Sequence, residues 1–399
     1  MLKKIYNILL IISFPVIYIN NFLSKFFYIK YGSAEPHRIG HLVGEMTLWH
    51  LEKKNNEAGN KNKANLEIWY TPRNVCNKFF YKKIKKKVFI THNFIIKFLH
   101  DLFIKFNKRE FIITGPKFGE RDIESLITKN KNIIEFTDEE IKYGNSLLKE
   151  MGFDENQSFV CICIRDKYYL NKVLPKKDWS NSDFKNSNIE NYNMAVKYLN
   201  DKNIRVIRMG AGSEKNWSLS DGKNFDYSQS KFRSGFLDFY LVHKSKFVIS
   251  NGTGFYWVPY VLKKPIVMAD FIPVGSLCSY VPNSIHIFKH IYSNDKKRFL
   301  NLKELLSDDY NYVWGTKDYI KQNLKIVDNT PEEVFECVKD MNLKIDGTLN
   351  EFDENKINQK KFWENLPKII VKKENKQRHG VINAEIGNSF LKKYIKNFN

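Results

Sequence analysis

The run FVCICI at residues 159–164 is apolar at every position, and Arg165 and Asp166 end it abruptly. Without polar alternation such a run predicts a strand buried on both faces, as in a parallel sheet. Strands of the same kind are expected at 205–209, 247–250 and 266–269. Helices alternate with them. Thr137 followed by Asp138, Glu139 and Glu140 opens one that runs to Met151, and Ser187, Asn188, Ile189 and Glu190 open a second through Leu199. Further helices are expected at 236–243 and 254–262. Strand and helix in strict alternation predict a parallel sheet covered on both sides.

The amino-terminal part alternates more loosely. A polar loop at 32–40 precedes a helix at 41–54, then short strands at 66–70, 88–91 and 111–114, with an amphipathic helix at 94–106. Before all of these lies a run from Ile5 to Leu23, apolar except for Asn7, Asn20, Asn21 and a few small or kinked positions such as Pro15. Its length is near the roughly 20 residues that cross a bilayer. The small residues Gly32, Ser33 and Ala34 stand too far behind it for signal-peptide geometry. It reads as a membrane-embedded or interfacial anchor, the alternative being a buried first helix and strand. Lys3 and Lys4 before it and Lys25 and Lys30 behind it leave its orientation open.

At 399 residues, 43% of them hydrophobic and 15% aromatic, the chain can fill more than one core. Its formal charge of +21 favours anionic partners, although an excess of Lys among many Asn and Ile also follows from skewed codon usage. The clusters at 82–87 (KKIKKK) and 105–109, both close to the apolar segment, suit an anionic membrane surface. No nucleic-acid motif accompanies them, so no nucleic-acid partner is expected. Five cysteines at irregular spacing, with Cys161 and Cys163 on one strand, form neither a zinc set nor a disulfide framework. No metal site is expected, since no HExxH or comparable spacing occurs.

Ligands of parallel sheets bind beyond the carboxyl ends of the strands. Those ends collect Arg165 and Asp166, then Arg208 and Gly210, then Ser250, Asn251, Gly252, Thr253 and Gly254. The last group runs from strand into helix, leaving backbone amides that can cradle a phosphate. Arginine forks match phosphate oxygens, so Arg165 and Arg208 complete a diphosphate site. The plainer alternative pairs Arg165 with Asp166 or Asp178, and Arg208 with Glu214, in rim salt bridges. Asp270, after the next strand, is placed to meet a sugar or ribose. There is neither a Walker loop nor a GxGxxG motif, which excludes the common nucleotide-hydrolase and dinucleotide classes. In the amino-terminal half, EPHRIGH gathers Glu35, His37, Arg38 and His41 at a loop-to-helix junction. That density suits a site with a general base, His41 before Asp166.

Taken in order, RIGHL (38–42), RD..YL (165–170), DWS (178–180) with NSNIENY (186–192), VIRMG (206–210), DYS (226–228), FLDFYL (236–241) and SNGTGF (250–255) resemble a bacterial family assigned as glycosyltransferases among surface polysaccharide and lipopolysaccharide genes. The match spans residues 38–306. One departure is that Ser182 and Lys185 stand where the family pattern has a His and an Arg. The segment Arg165, Asp166, Lys167 also looks like the arginine-bearing strand end of fucosyltransferases, where that arginine meets the nucleotide diphosphate.

The resemblance implies an α/β fold of GT-B type, with two Rossmann-like domains of parallel sheet facing a cleft, plus the amino-terminal hydrophobic anchor. Expected boundaries are a membrane-associated segment at 1–30, an acceptor-side domain at 31–140, a nucleotide-sugar domain at 141–346, and a charged tail at 347–399 that docks back on the amino-terminal domain. The implied reaction moves a sugar from a nucleotide-diphosphate sugar to a surface glycan or lipid-linked acceptor at the cytoplasmic face of the inner membrane. It is expected to need no metal, because cationic side chains and helix starts neutralise the leaving diphosphate. Pyruvyl or phosphate transfer to glycans, and glycan binding without catalysis, are the competing readings.

Overall fold

The computed structural model describes residues 2–26, 28–57, 65–219, 222–350, 352–366, 370–371 and 376–395. The chain forms two compact units, Met1–Glu120 and Arg121–Asn399.

The first unit is built on a parallel sheet of β1 (Tyr28–Ser33), β2 (Asn65–Tyr70) and β3 (Ile90–Thr91), in that order. Ile29 pairs with Leu66, and Trp69 with Ile90. The strand expected at 111–114 is reduced to a single parallel bridge between Ile112 and Tyr31. β1 was hidden in the sequence because YIKYGS mixes charge and glycine where a buried strand is normally apolar.

The apolar segment forms two helices, α1 (Leu2–Ile12) and α2 (Pro15–Leu23), bent by 50° at their junction. Pro15 cannot donate a backbone hydrogen bond and so starts the second helix. Then come α3 (Met46–Glu57), α4 (Lys78–Lys85) and α5 (Phe94–Lys105). The Asn77 side chain accepts the Phe80 amide at 2.8 Å, and the Asn93 side chain accepts that of Ile95, which fixes where α4 and α5 begin. Leu10 and Ile17 are buried with Tyr31, Leu102, Phe103 and Phe111, so one face of the α1–α2 pair belongs to this unit's core.

The second unit carries seven parallel strands: β4 (Phe159–Cys163), β5 (Arg205–Arg208), β6 (Phe225–Asp226), β7 (Val248–Ser250), β8 (Ile266–Phe271), β9 (Ser284–Phe288) and β10 (Glu385–Ile386). Their spatial order is β10-β9-β8-β7-β4-β5-β6. Running outward from β4 in both directions, this is a doubly wound sheet whose strand order reverses between β4 and β7. Every residue of β4 is buried. Cys161 and Cys163 are core thiols, and burial pushes the Cys163 thiol up to about 12. None of the five cysteines forms a disulfide.

The helices around the sheet are α6 (Asp138–Glu150), α7 (Asn193–Asp201), α8 (Gly235–Lys244), α9 (Pro331–Ile345) and α10 (Asn388–Tyr394). Thr137 and Glu140 close a reciprocal capping box on α6. Residues 121–140, grouped by the sequence reading with the first domain, pack in the second unit. The Asp122 carboxylate accepts the Tyr260 hydroxyl at 2.6 Å, and Phe136 meets the Tyr240 ring edge-on. The tail also lies on this unit. β10 extends the sheet beside β9, Phe362 stacks on Phe288, and Tyr394 donates to the Glu333 carboxylate of α9.

Candidate functional site

The switch point between β4 and β7 is where a doubly wound sheet opens a crevice, and both strand ends carry polar residues there. The Arg165 amide donates to Asn251 Oδ1 and its guanidinium Nε donates to Asn186 Oδ1, both at 3.1 Å. Asn251, buried, donates in turn to the Lys185 carbonyl and to Ser187 Oγ. It thus staples the end of β7 to the loop that follows β4 and holds Arg165 in place. Asp166 has a different task. Its two carboxylate oxygens accept the amides of Tyr168 and Glu214, each at 2.9 Å, which orders the loops beside Arg165.

Arg165 lines a cavity of about 250 Å³ with Lys167, Lys177, Asp178, Trp179 and Asp183. Lys167 lies 3.7 Å from Asp183, and Lys177 sits 4.4 Å above the Trp179 ring. Three cations against the two carboxylates of Asp178 and Asp183 leave the recess with an excess of positive charge, which favours an anion. The recess is smaller than the ~300 Å³ at which drug-sized pockets begin, a size that suits a diphosphate or one sugar ring.

The other expected donor residues are disposed less favourably. Arg208 is buried, donating to Asp226 at 3.3 Å and to the Lys215 carbonyl at 2.8 Å. It makes the salt bridge that the sequence reading held as an alternative, with Asp226 rather than Glu214 as partner. Gly210 turns the chain after β5 at φ +136°. Ser250 is buried, and its hydroxyl has no hydrogen-bond partner among the described residues. Gly252 has φ +72°, and a Cβ there would lie 2.8 Å from the Phe271 ring. Thr253 and Gly254 lead into a short turn, Gly254–Tyr256, and Gly254 is exposed.

Asp270 does not face a ligand. It is wholly buried, and its carboxylate accepts the Tyr192 hydroxyl at 2.8 Å and the Asn329 amide at 2.6 Å. Burial, with Asp328 nearby, raises its pKa. The strand-end position that suggested a sugar contact is instead a buried knot tying β8 to the segment before α9.

In the first unit His41 opens one π-helical turn, His41–Glu45, ahead of α3. Such turns are frequent at functional sites, where the wider turn re-aims side chains. The turn brings Glu45 Oε1 to 2.6 Å from His41 Nδ1, and Glu120 meets the same nitrogen. Burial works against protonation of the ring, but the Glu120 and Glu45 carboxylates outweigh it and push its pKa up to about 9. At neutral pH the imidazole therefore holds its proton between two carboxylates, and the half-exposed Glu120 is the better placed base. The three ligand atoms lie within 4.8 Å of one another, close enough for a divalent ion to take the proton's place. Glu35 is exposed, and His37 and Arg38 are half-buried.

No known family model matches the sequence, and no curated protein matches it. Among solved structures the fold resembles GT-B glycosyltransferases. E. coli ADP-heptose LPS heptosyltransferase II is similar over 80% of this chain and 100% of its own, at 12% identity and a TM-score of 0.41. A glycosyl transferase family 9 protein from Veillonella parvula covers 66% of this chain and 86% of its own, at 10% identity and a TM-score of 0.37. The wall teichoic acid polymerase TagF covers 52% of this chain and 50% of its own, at 13% identity and a TM-score of 0.23. The chain is an α/β protein with parallel sheets; likenesses this distant carry no functional argument.

Several site residues had escaped the sequence reading. Glu45 carried a local signal, four residues beyond His41, whereas Glu120 lies 79 positions away and only the fold brings it in. Lys177 and Trp179 lie in a polar loop with no periodic pattern. Lys185, at the departure from the family pattern, places its ammonium 3.6 Å above the Trp314 ring, on aromatic carbon rather than at the recess.

Proposed function

We propose that this chain transfers a sugar from a nucleotide-diphosphate sugar to a glycan or lipid-linked acceptor. The observation that carries the reading is the cationic recess around Arg165 at the switch point of the doubly wound sheet. In this reading the second unit takes the donor. Arg165, held by Asn186 and Asn251, neutralises the diphosphate, with Lys167 and Lys177 beside it. The amides of Gly252, Thr253 and Gly254 add donors at the end of β7.

The first unit takes the acceptor. The acceptor hydroxyl oxygen bonds to the anomeric carbon as the bond from that carbon to the diphosphate oxygen breaks. The nucleoside diphosphate leaves with the electron pair, and the hydroxyl proton passes to a general base; within the first unit the candidate for that role is Glu120, which the His41 imidazolium orients.

A thermal-shift screen of nucleoside diphosphates tests the donor site. A ligand held at 100 times its dissociation constant adds about 2.7 kcal/mol to stability. Arg165→Ala is expected to weaken that ligand by roughly ten- to a hundredfold while leaving the melting temperature without ligand unchanged. Full retention of affinity, or protection by phosphoenolpyruvate and by no nucleoside diphosphate, overturns the assignment.

A further inference from the structure

We infer that the first unit docks on an anionic lipid bilayer through one apolar face made jointly by α1, α2 and α5, and that its amino-terminal helices lie in the membrane surface rather than cross it. The outer side of the bent pair exposes Ile5, Ile8, Ile11, Ile12, Ile19 and Phe22, with Phe94, Ile95 and Ile104 exposed on α5. An apolar surface this continuous is abnormal for a face that meets only water.

Crossing the bilayer is disfavoured by the opposite side of the same helices. Among the described residues no single helix is long and apolar enough to span. With 11 and 9 residues, α1 and α2 reach about 17 and 14 Å, each roughly half the ~30 Å hydrocarbon thickness. Their inner side is already engaged. Tyr6 donates to Asp101 at 2.7 Å, Phe14 meets Phe106 at 4.8 Å, and the Tyr31 hydroxyl donates to Asn20. Straightening the pair into a span would strip Leu10 and Ile17 out of the core and leave those polar groups without partners.

Charge chooses the occupant. Residues 1–120 hold 21 Lys and Arg against 8 Asp and Glu. Lys25 at the end of α2 caps the exposed Phe22 ring at 5.8 Å, and Lys105 on α5 reaches the Asn7 carbonyl of α1. A second copy would bring the same positive surface against itself. An anionic bilayer supplies the opposite charge and accepts the apolar side chains, as amphipathic interfacial helices require.

The test uses the full chain with sonicated vesicles of phosphatidylcholine and phosphatidylglycerol, read by flotation. The quadruple substitution Ile8→Ser, Ile12→Ser, Ile19→Ser, Phe22→Ser is expected to cut the bound fraction by on the order of tenfold. Its melting temperature and its protection by nucleoside diphosphates should be unchanged, which separates this result from any failure of the donor site.

Depth is read on a second pair of proteins, Ile8→Cys and Ile19→Cys, each with Cys76→Ser, labelled with a fluorophore and quenched by brominated lipids. Both labels should report the shallow acyl region. Undiminished flotation of the quadruple variant overturns the proposal, and so does a label at the bilayer centre, which would mean a spanning pair. A wild-type dimer that ignores vesicles and that the substitutions dissociate would assign the face to a second copy.

Discussion

The two units treat polar and apolar groups in opposite ways. In the second, seven parallel strands bury their apolar residues, and the charged groups at their ends mostly turn inward to partners: Arg208 to Asp226, Asp166 to two amides, Asp270 to Tyr192 and Asn329. In the first, a three-stranded sheet cannot cover its helices, and large apolar side chains on α1, α2 and α5 stay exposed beneath a strong positive charge. The difference teaches where to look for ligands. A rigid sheet end with few uncommitted charges favours a small, specific anion, whereas a broad apolar face with diffuse charge favours an extended surface.

The sharpest way to break this comparison is at Asp270. Its backbone sits at φ +52°, which a non-glycine residue tolerates only when its surroundings insist on it. Asp270→Ala leaves the Tyr192 hydroxyl and the Asn329 amide unpaired in the core, and is expected to cost about 3–5 kcal/mol in urea unfolding. Asp270→Asn keeps the shape, tolerates the left-handed backbone, and lets the Tyr192 hydroxyl turn round and accept. It should retain most of the stability and all of the nucleoside diphosphate affinity. Loss of affinity in a stable Asp270→Asn protein would restore the residue to the donor site.

Asp270 also marks the limit of what was legible beforehand. The strands of the second unit showed in the sequence because burial on both faces leaves unbroken apolar runs such as residues 159–163. Arg165 showed because a charge at the end of such a run must face either a partner or a ligand. Which of those it faces is settled by residues far along the chain, and no local pattern reports them: Asn251 is 86 positions from Arg165, and Asn329 is 59 from Asp270. The same holds for Glu120 beside His41. β1 was missed for a different reason, since its lysine and glycine contradict the pattern of a buried strand, and its partners, β2 over six residue pairs and Ile112 at one bridge, lie further along the chain.

A smaller effect sharpens the contrast in packing. Gly144 lies inside α6, where a glycine ordinarily weakens a helix by up to about 1 kcal/mol relative to alanine. Here a Cβ would fall 2.2 Å from the Tyr240 ring, whose hydroxyl is pinned by the Ile141 carbonyl and by Asn145. Gly144→Ala should therefore destabilise the second unit by about 1–3 kcal/mol, against its helix propensity. On the exposed face of the first unit, Ile8→Ser should leave the melting temperature where it is. A rise in melting temperature for Gly144→Ala would show that the ring yields and that this helix packing is looser than its geometry indicates.

The smallest effect concerns pH, and its sign differs between the units. His41 is held up to about 9 by Glu120 and Glu45 despite its burial, so its contribution is complete below the ordinary histidine value near 6.5 and disappears as pH rises through about 9. Glu333 in α9 is displaced in the opposite direction. Burial opposes its ionisation, but hydrogen bonds from His290 and Tyr394 hold it well below the usual carboxylate range, and its contribution is lost only on acidification. Raising the pH from 6 to 10 should therefore loosen the first unit through this cluster and leave the Glu333 contribution intact. Because Glu120 is partly exposed, solvent screening reduces the effect to about 1–2 kcal/mol. Hydrogen exchange read by mass spectrometry separates the units: amides of the His41 turn and α3 should exchange faster at pH 10, after correction for the intrinsic rate, while those of α9 keep their protection. Glu120→Gln should flatten the first response and leave the second alone. An unchanged response in that variant would mean that the carboxylate does not hold the proton on His41, and with it would go the role of Glu120 as the base.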